Sequence, residues 1–289
     1  MPALILVFLV GNFYSKGFVD YYYNKITNDG NSIIIGTSRS SQGIRPQELM
    51  KNLKYNGPML NFAMSSFDSP YSQNYFKAIR SKIGSDVKNG LYIVEVEPLG
   101  VYHNQHEHSK SEKLNFVLPL NSKPNYEYLY RNVNPYYKLV LHNNETFPTT
   151  IQHDDGWLEV RLKLDSTQRK SSSDTKYSSS SSELRKLSFS AERWEYLSNI
   201  IDYLKQHGRV FILRMPAEKR FIELEQNILP EFNSKIERLA HEKNVKYFNL
   251  TNLCEEFQYI DGNHFDLSSS LKFSKLLNQL IQQESERTY

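Results

Sequence analysis

The chain has 289 residues, 39% hydrophobic and 23% charged, a composition that fits one large folded domain or two small ones and excludes a wholly disordered chain. A formal net charge of +3 provides no electrostatic footprint for nucleic acid, and the short basic pair Arg185-Lys186 adds none. The single cysteine, Cys254, excludes an internal disulfide and any multi-cysteine metal site, and it reads as buried filler.

The first element is apolar. Ala3–Val10, ALILVFLV, is much shorter than the roughly 20 residues that span a bilayer. No positive residue precedes it, as a signal peptide would require. Residues 1–28 therefore read as a short or truncated membrane anchor, an uncleaved signal segment or a buried first element. Tyr21, Tyr22 and Tyr23 favour the anchor, because tyrosines sit well at membrane interfaces. An anchored protein would be extracytoplasmic; otherwise the chain would be cytoplasmic.

Residues 29–289 then alternate strand and helix. Ser32–Ile35 is a short apolar strand stopped at Gly36, and a helix can begin at Pro46, with its pattern carried by Gln47–Leu53. Pro58–Phe62 is a second strand. Ser69-Pro70 can open a helix to about Ile83, with Tyr71, Tyr75, Ile79 and Ile83 on one face. Gly90–Val96 is a third strand. From about 101 to 190 the pattern is irregular, and KSSSDTKYSSSSS, Lys170–Ser182, reads as low complexity and mobile. Order returns with a helix over Ala191–Gln206, with Gly208 as its C-cap signal, and a strand over Arg209–Met215. A long helical region over Phe221–Lys243 is bent at Pro230, and Val245–Leu250 is a strand. Last comes an amphipathic helix over Asp266–Gln283, whose apolar face is Leu267, Leu271, Leu276, Leu277 and Leu280.

This alternation predicts an α/β fold with a parallel sheet covered on both faces. Sites in such sheets lie beyond the carboxyl ends of the strands. The turn Gly36-Thr37-Ser38-Arg39 follows the first strand. The segment YIDGNHF, with Asp261 and His264 three apart, follows the last strand. A serine needs a base to take its proton, and a histidine base needs a carboxylate to hold its tautomer.

Those two segments resemble the SGNH (GDSL-like) hydrolase superfamily over roughly residues 30–100 and 190–284. More narrowly, IIIGTSRSSQGIRP, NFAMSSFDSP, FILRMP and DGNHF look like a divergent, membrane-anchored branch similar to the D-alanyl-lipoteichoic-acid transfer and alginate acetylation proteins. The resemblance implies a flavodoxin-like three-layer α/β/α sandwich, here with a long insertion at about 101–190 that borders or caps the site. It implies Ser38 as nucleophile, His264 as base and Asp261 as its orienting partner. The oxyanion would take the Ser38 backbone N–H and one from Ser66 or Ser65. The implied reaction is acyl transfer by an esterase or O-acyltransferase on an acylated small molecule or a cell-envelope polymer, with a membrane-bound acyltransferase as a possible partner. The alternative is a non-catalytic binding or assembly protein on the same fold.

The chain also departs from the family. Thr37 replaces the usual aspartate before the serine. VEVEPLGV, Val94–Val101, replaces the block that normally supplies an asparagine amide to the oxyanion. Arg39 can substitute electrostatically, or serve as a surface charge or salt bridge. Alone, Ser38 reads as a helix cap and Asp261-Gly262 as a turn; together, in matching places, they read as a site. Arg214 reads as one half of a structural pair, and Glu95 and Glu97 as packed against a helix. His103, His106 and His108 match no specific metal spacing and read as a solvated loop. Tyr126–Tyr137 reads as packing for the insertion. No motif calls for a cofactor or a nucleic acid.

Overall fold

The computed structural model describes residues 22–64, 69–104, 125, 128 and 150–286. The chain order opens α1 (Tyr23–Thr27), β1 (Ser32–Ile35), α2 (Ser38–Gly43), α3 (Pro46–Leu49), β2 (Met59–Asn61), α4 (Gln73–Lys82) and β3 (Gly90–Glu95). It continues α5 (Pro98–Val101), β4 (Tyr102–Asn104), β5 (Thr150–Gln152), β6 (Leu158–Val160), α6 (Ser166–Leu184), β7 (Leu187–Phe189) and α7 (Ala191–Lys205). It closes β8 (Gly208–Arg214), α8 (Lys219–Ile228), α9 (Phe232–Glu242), β9 (Lys246–Asn249), a 3₁₀ helix (Thr251–Glu256) and α10 (Leu267–Glu286).

Five of these strands form one sheet, order β2-β1-β3-β8-β9, with every pair parallel. Because side chains alternate across a strand, Ile33 and Ile35 enter one core with Tyr92, Val94 and Ile212. Ile34 enters the other with Ile93, Phe211 and Leu213. Helices α4, α7 and α9 supply the first core and α10 the second. The result is a three-layer α/β/α sandwich of flavodoxin-like order, and its sheet order reverses between β1 and β3. In this topology the crevice at that switch point is the expected place for a site.

Several sequence expectations change in detail. The Ser-rich stretch is helical: it lies within α6, where Asp165 and Gln168 form a capping box. Serine is a mediocre helix former, but the Tyr177 ring packs on Phe221 and Leu184 is buried, so tertiary contact overrides composition. Gly208 opens β8 rather than capping α7; a Cβ there would collide with the Gly90 backbone of the paired strand. Around Pro230 the helical region is broken into α8 and α9, not bent. Helix α4 starts later than Ser69 because Ser72 caps it, accepting from Tyr75 N. The buried stripe of α10 is Ser270, Phe273, Ser274, Leu277 and Ile281, with the predicted leucines Leu267, Leu271, Leu276 and Leu280 at its flanks. The serines let the helix approach closely, and Ser270 and Ser274 bind Arg45. Cys254 is half-buried in the 3₁₀ helix rather than core filler.

Small pieces complete the frame. The β5–β6 hairpin seats its turn on the sheet edge, with Asn61 N donating to Asp155 O at 2.7 Å, so the outer edge of β2 is covered. Among the described residues no helix is long and apolar enough to cross a membrane. The apolar run Ala3–Val10 and most of Tyr126–Tyr137 lie outside the described residues.

Candidate active site

Strand β1 ends at Gly36, where a Cβ would collide with Glu95 Oε2 and Ser40 Oγ. Glycine, which has no Cβ, lets the chain pass this close to Glu95 of β3 and turn into α2. Thr37 then caps α2, its hydroxyl accepting from Arg39 N at 3.4 Å. Ser38 is the first residue of this short helix and is partly exposed. Its backbone N–H has no acceptor among the described residues.

On the other side of the crevice, Ile260 N donates to His264 O and closes a tight loop. Gly262 adopts φ +80° within it, and a Cβ there would fall 2.6 Å from Glu218 Oε2. Only glycine meets both demands. The loop is clamped from outside by α6, whose Arg169 donates to Tyr259 O at 2.9 Å and to Asp266 Oδ2 at 3.4 Å. Helix α6, within the 101–190 stretch, is therefore packed beside the loop that carries Asp261 and His264.

The structure brings Ser38, His264 and Asp261 together. Ser38 Oγ lies 2.8 Å from His264 Nε2, and His264 Nδ1 lies 2.8 Å from Asp261 Oδ2. Asp261 Oδ1 also accepts from Asn263 N at 3.0 Å and His264 N at 2.9 Å. Burial pushes the Asp261 carboxyl upward, but the imidazole and these two N–H groups hold it well below the usual carboxylate range. An ionised carboxylate only accepts. The proton therefore sits on Nδ1, and Nε2 is left to accept from the Ser38 hydroxyl. Asp266, not Asp261, caps α10 through Ser269 N.

Arg39 is not presented as a free charge. Its side chain is 3% exposed, with Nη2 2.5 Å from Glu225 Oε1 and Nε 2.9 Å from Glu97 Oε2. Nε also donates to Asn263 Oδ1 at 2.8 Å. Burial opposes the Arg39 charge, but Glu225 and Glu97 more than restore it. Arg214, as expected, is half of a structural pair, 2.8 Å from the other oxygen of Glu225. Glu95 and Glu97 both pack onto the α2 end, as a helix-side pairing predicts. Glu95 Oε2 accepts from Thr37 N at 2.8 Å and Ser40 Oγ at 3.2 Å. Burial and the neighbouring Glu97 raise the Glu95 carboxyl to about 8, against the opposing pull of the Thr37 N–H and Arg39.

Ser65 and Ser66 lie outside the described residues, as do His106 and His108. Among the described residues no group of side chains is arranged to hold a metal ion. Sequence reasoning gave no role to Asn263 or Glu225. Asn263 sits inside the DGNH segment, so its place was visible but its partner was not. Glu225 carries no local signal, because only the fold brings α8 against α2. No protein-family model matches the chain, and no curated protein sequence matches it at a significant level.

Proposed function

We propose that the chain is a serine-dependent acyl-transfer enzyme, an esterase or O-acyltransferase of SGNH type. The observation that carries this reading is the Ser38 Oγ–His264 Nε2 distance of 2.8 Å, with Asp261 on the far ring nitrogen. Ser38 Oγ attacks an acyl carbonyl while His264 Nε2 takes its proton. The tetrahedral intermediate collapses, the C–O bond to the alcohol breaks, and His264 returns the proton to that oxygen. Water or a second hydroxyl then attacks the acyl-serine by the same route. The Ser38 N–H at the start of α2, without an acceptor among the described residues, is one donor for the oxyanion.

The substrate class we propose, an acyl ester of a cell-envelope polysaccharide or similar polymer, rests on the resemblance of the sequence segments. Membrane attachment through Ala3–Val10 and a membrane-bound acyltransferase partner belong to the same reading. A second reading, a non-catalytic binding protein, is favoured by one observation: the end of β3 offers the carboxyls of Glu95 and Glu97 where the resembled family places an amide donor. Labelling by a fluorophosphonate probe decides between them. Wild-type protein should label, and Ser38→Ala and His264→Ala should not; folded wild-type protein that resists the probe supports the binder.

A further inference from the structure

The Asp261–His264 contact is local, three residues apart, and forms within one loop. The Ser38–His264 contact is not; it joins residues separated by 226 positions. Something must hold the two sides of the crevice in register, because a misplacement of about 1 Å can cost ~10²-fold in rate.

One cross-link stands directly beside that contact. Arg39, the residue after the nucleophile, donates from Nε to Oδ1 of Asn263, the residue before the base, at 2.8 Å. The guanidinium is in turn fixed by Glu225 at 2.5 Å. Glu225 is itself fixed by Arg214, at the end of β8, at 2.8 Å. Burial would raise the Glu225 carboxyl, but Arg39 and Arg214 pull it below the ordinary value. All four side chains are less than 10% exposed. The chain of contacts runs from β8 through α8 to α2 and across to the His264 loop. A planar guanidinium with its donors in a fixed fork suits this task, since it sets direction as well as distance.

We propose that Arg39 and Asn263 are positioning residues for the Ser38–His264 pair, anchored by Glu225; the proposal rests on the serine-nucleophile reading above. Arg39 then acts through geometry and not as an oxyanion donor. The Nε bond also orients the Asn263 amide, because Oδ1 must face the guanidinium. A lysine at position 39 keeps the charge and loses the fork.

The test is the rate of fluorophosphonate labelling across pH 5–9 in the full chain, with circular dichroism and thermal melting on each protein. Asn263→Ala and Arg39→Lys are expected to label ~10- to 100-fold more slowly at every pH while keeping the wild-type circular dichroism. Asn263→Asp restores an acceptor for Arg39 and is expected to recover most of the rate. Loss of rate in the alanine variant and its return in the aspartate variant, both at wild-type circular dichroism, is a pattern that a purely structural role does not produce. Folded Asn263→Ala labelling at the wild-type rate overturns the positioning role while leaving Ser38 as nucleophile. Wild-type protein that does not label overturns the nucleophile reading itself, and the positioning role with it. Should Arg39→Lys fail to fold, Asn263→Ala, which removes only the buried amide that faces Arg39, decides alone.

Discussion

Asp261 Oδ1 accepts from the backbone N–H of Asn263 and of His264, at 3.0 and 2.9 Å, while its carboxylate also holds the His264 ring. One side chain therefore shapes the loop and selects the imidazole tautomer. The two tasks are separable by substitution, because an amide keeps the acceptor oxygen but loses the charge.

Asp261→Asn is accordingly expected to keep the loop and lose the chemistry. The asparagine oxygen can still take the two backbone N–H groups. Its amide end then faces Nδ1 as a donor, which drives the proton to Nε2 and removes the acceptor for Ser38. In Ser-His-Asp sites this swap costs roughly 10⁴ in rate. Hydrolysis of p-nitrophenyl acetate, measured with the melting temperature, checks it. A variant that melts near wild type and turns over within a few-fold of it would refute the tautomer argument.

Glu95 ties stability to pH. Its carboxyl is raised to about 8 in the folded protein by burial and Glu97, whereas an exposed glutamate titrates near 4.3. Between these values the folded chain holds a proton that the unfolded chain has released, so stability falls as pH rises through that window. Three acids, Glu95, Glu97 and Glu225, and two guanidiniums, Arg39 and Arg214, share the buried cluster. A proton on Glu95 removes the surplus negative charge. Glu95→Gln imitates the protonated form. Its melting temperature, relative to wild type, should climb between pH 5 and 8, and a difference that stays flat across that range refutes the assignment.

Gly262 is expected to tolerate no side chain. Its φ of +80° already strains an L-residue, and a Cβ would meet Phe221, Ser173 and Glu218. Gly262→Ala should cost at least about 1 kcal/mol of stability. It should also slow probe labelling more than the stability loss explains, because Gly262 O accepts from Glu218 N at 2.7 Å and fixes the loop beside His264. Equal labelling and unchanged denaturant midpoints would show the loop to be more accommodating than its packing indicates.

Much of this site was legible in the sequence, for a physical reason. The Asp261–His264 pair is local, the Ser38 turn follows the most apolar strand, and α/β topology places both loops at one sheet edge. The Arg39–Glu225 pair was not legible, since it depends on how α8 packs and 186 residues separate the partners. Helix α6 was hidden differently. Its serines carry no hydrophobic period, and its order comes from Arg169, Ser173 and Tyr177 meeting the loop and α8. The strands were legible because Ile33, Ile34 and Ile35 are buried on both faces, which leaves an unbroken apolar run in the sequence.

Lys25, at the β2 edge of the sheet, gives the opposite pH dependence. Its ammonium is fully buried and donates to Asn61 O at 2.8 Å and Gly156 O at 2.6 Å, which joins α1, β2 and the β5–β6 turn. Burial lowers its pKa to about 7, against a weaker opposing pull from Asp155. An unfolded lysine titrates near 10.4. From pH 7 to about 10 the unfolded chain therefore binds more protons than the folded one, and this residue's contribution to stability rises with pH. Lys25→Met removes the titration and leaves two carbonyls short of a donor, so it should melt below wild type throughout. The gap is expected to widen from pH 7 to pH 9.5, as the wild-type amine no longer has to hold a buried charge. A gap that does not widen over that interval would mean Lys25 stays charged in the folded protein, with its two carbonyls and Asp155 solvating the ammonium well enough to offset burial.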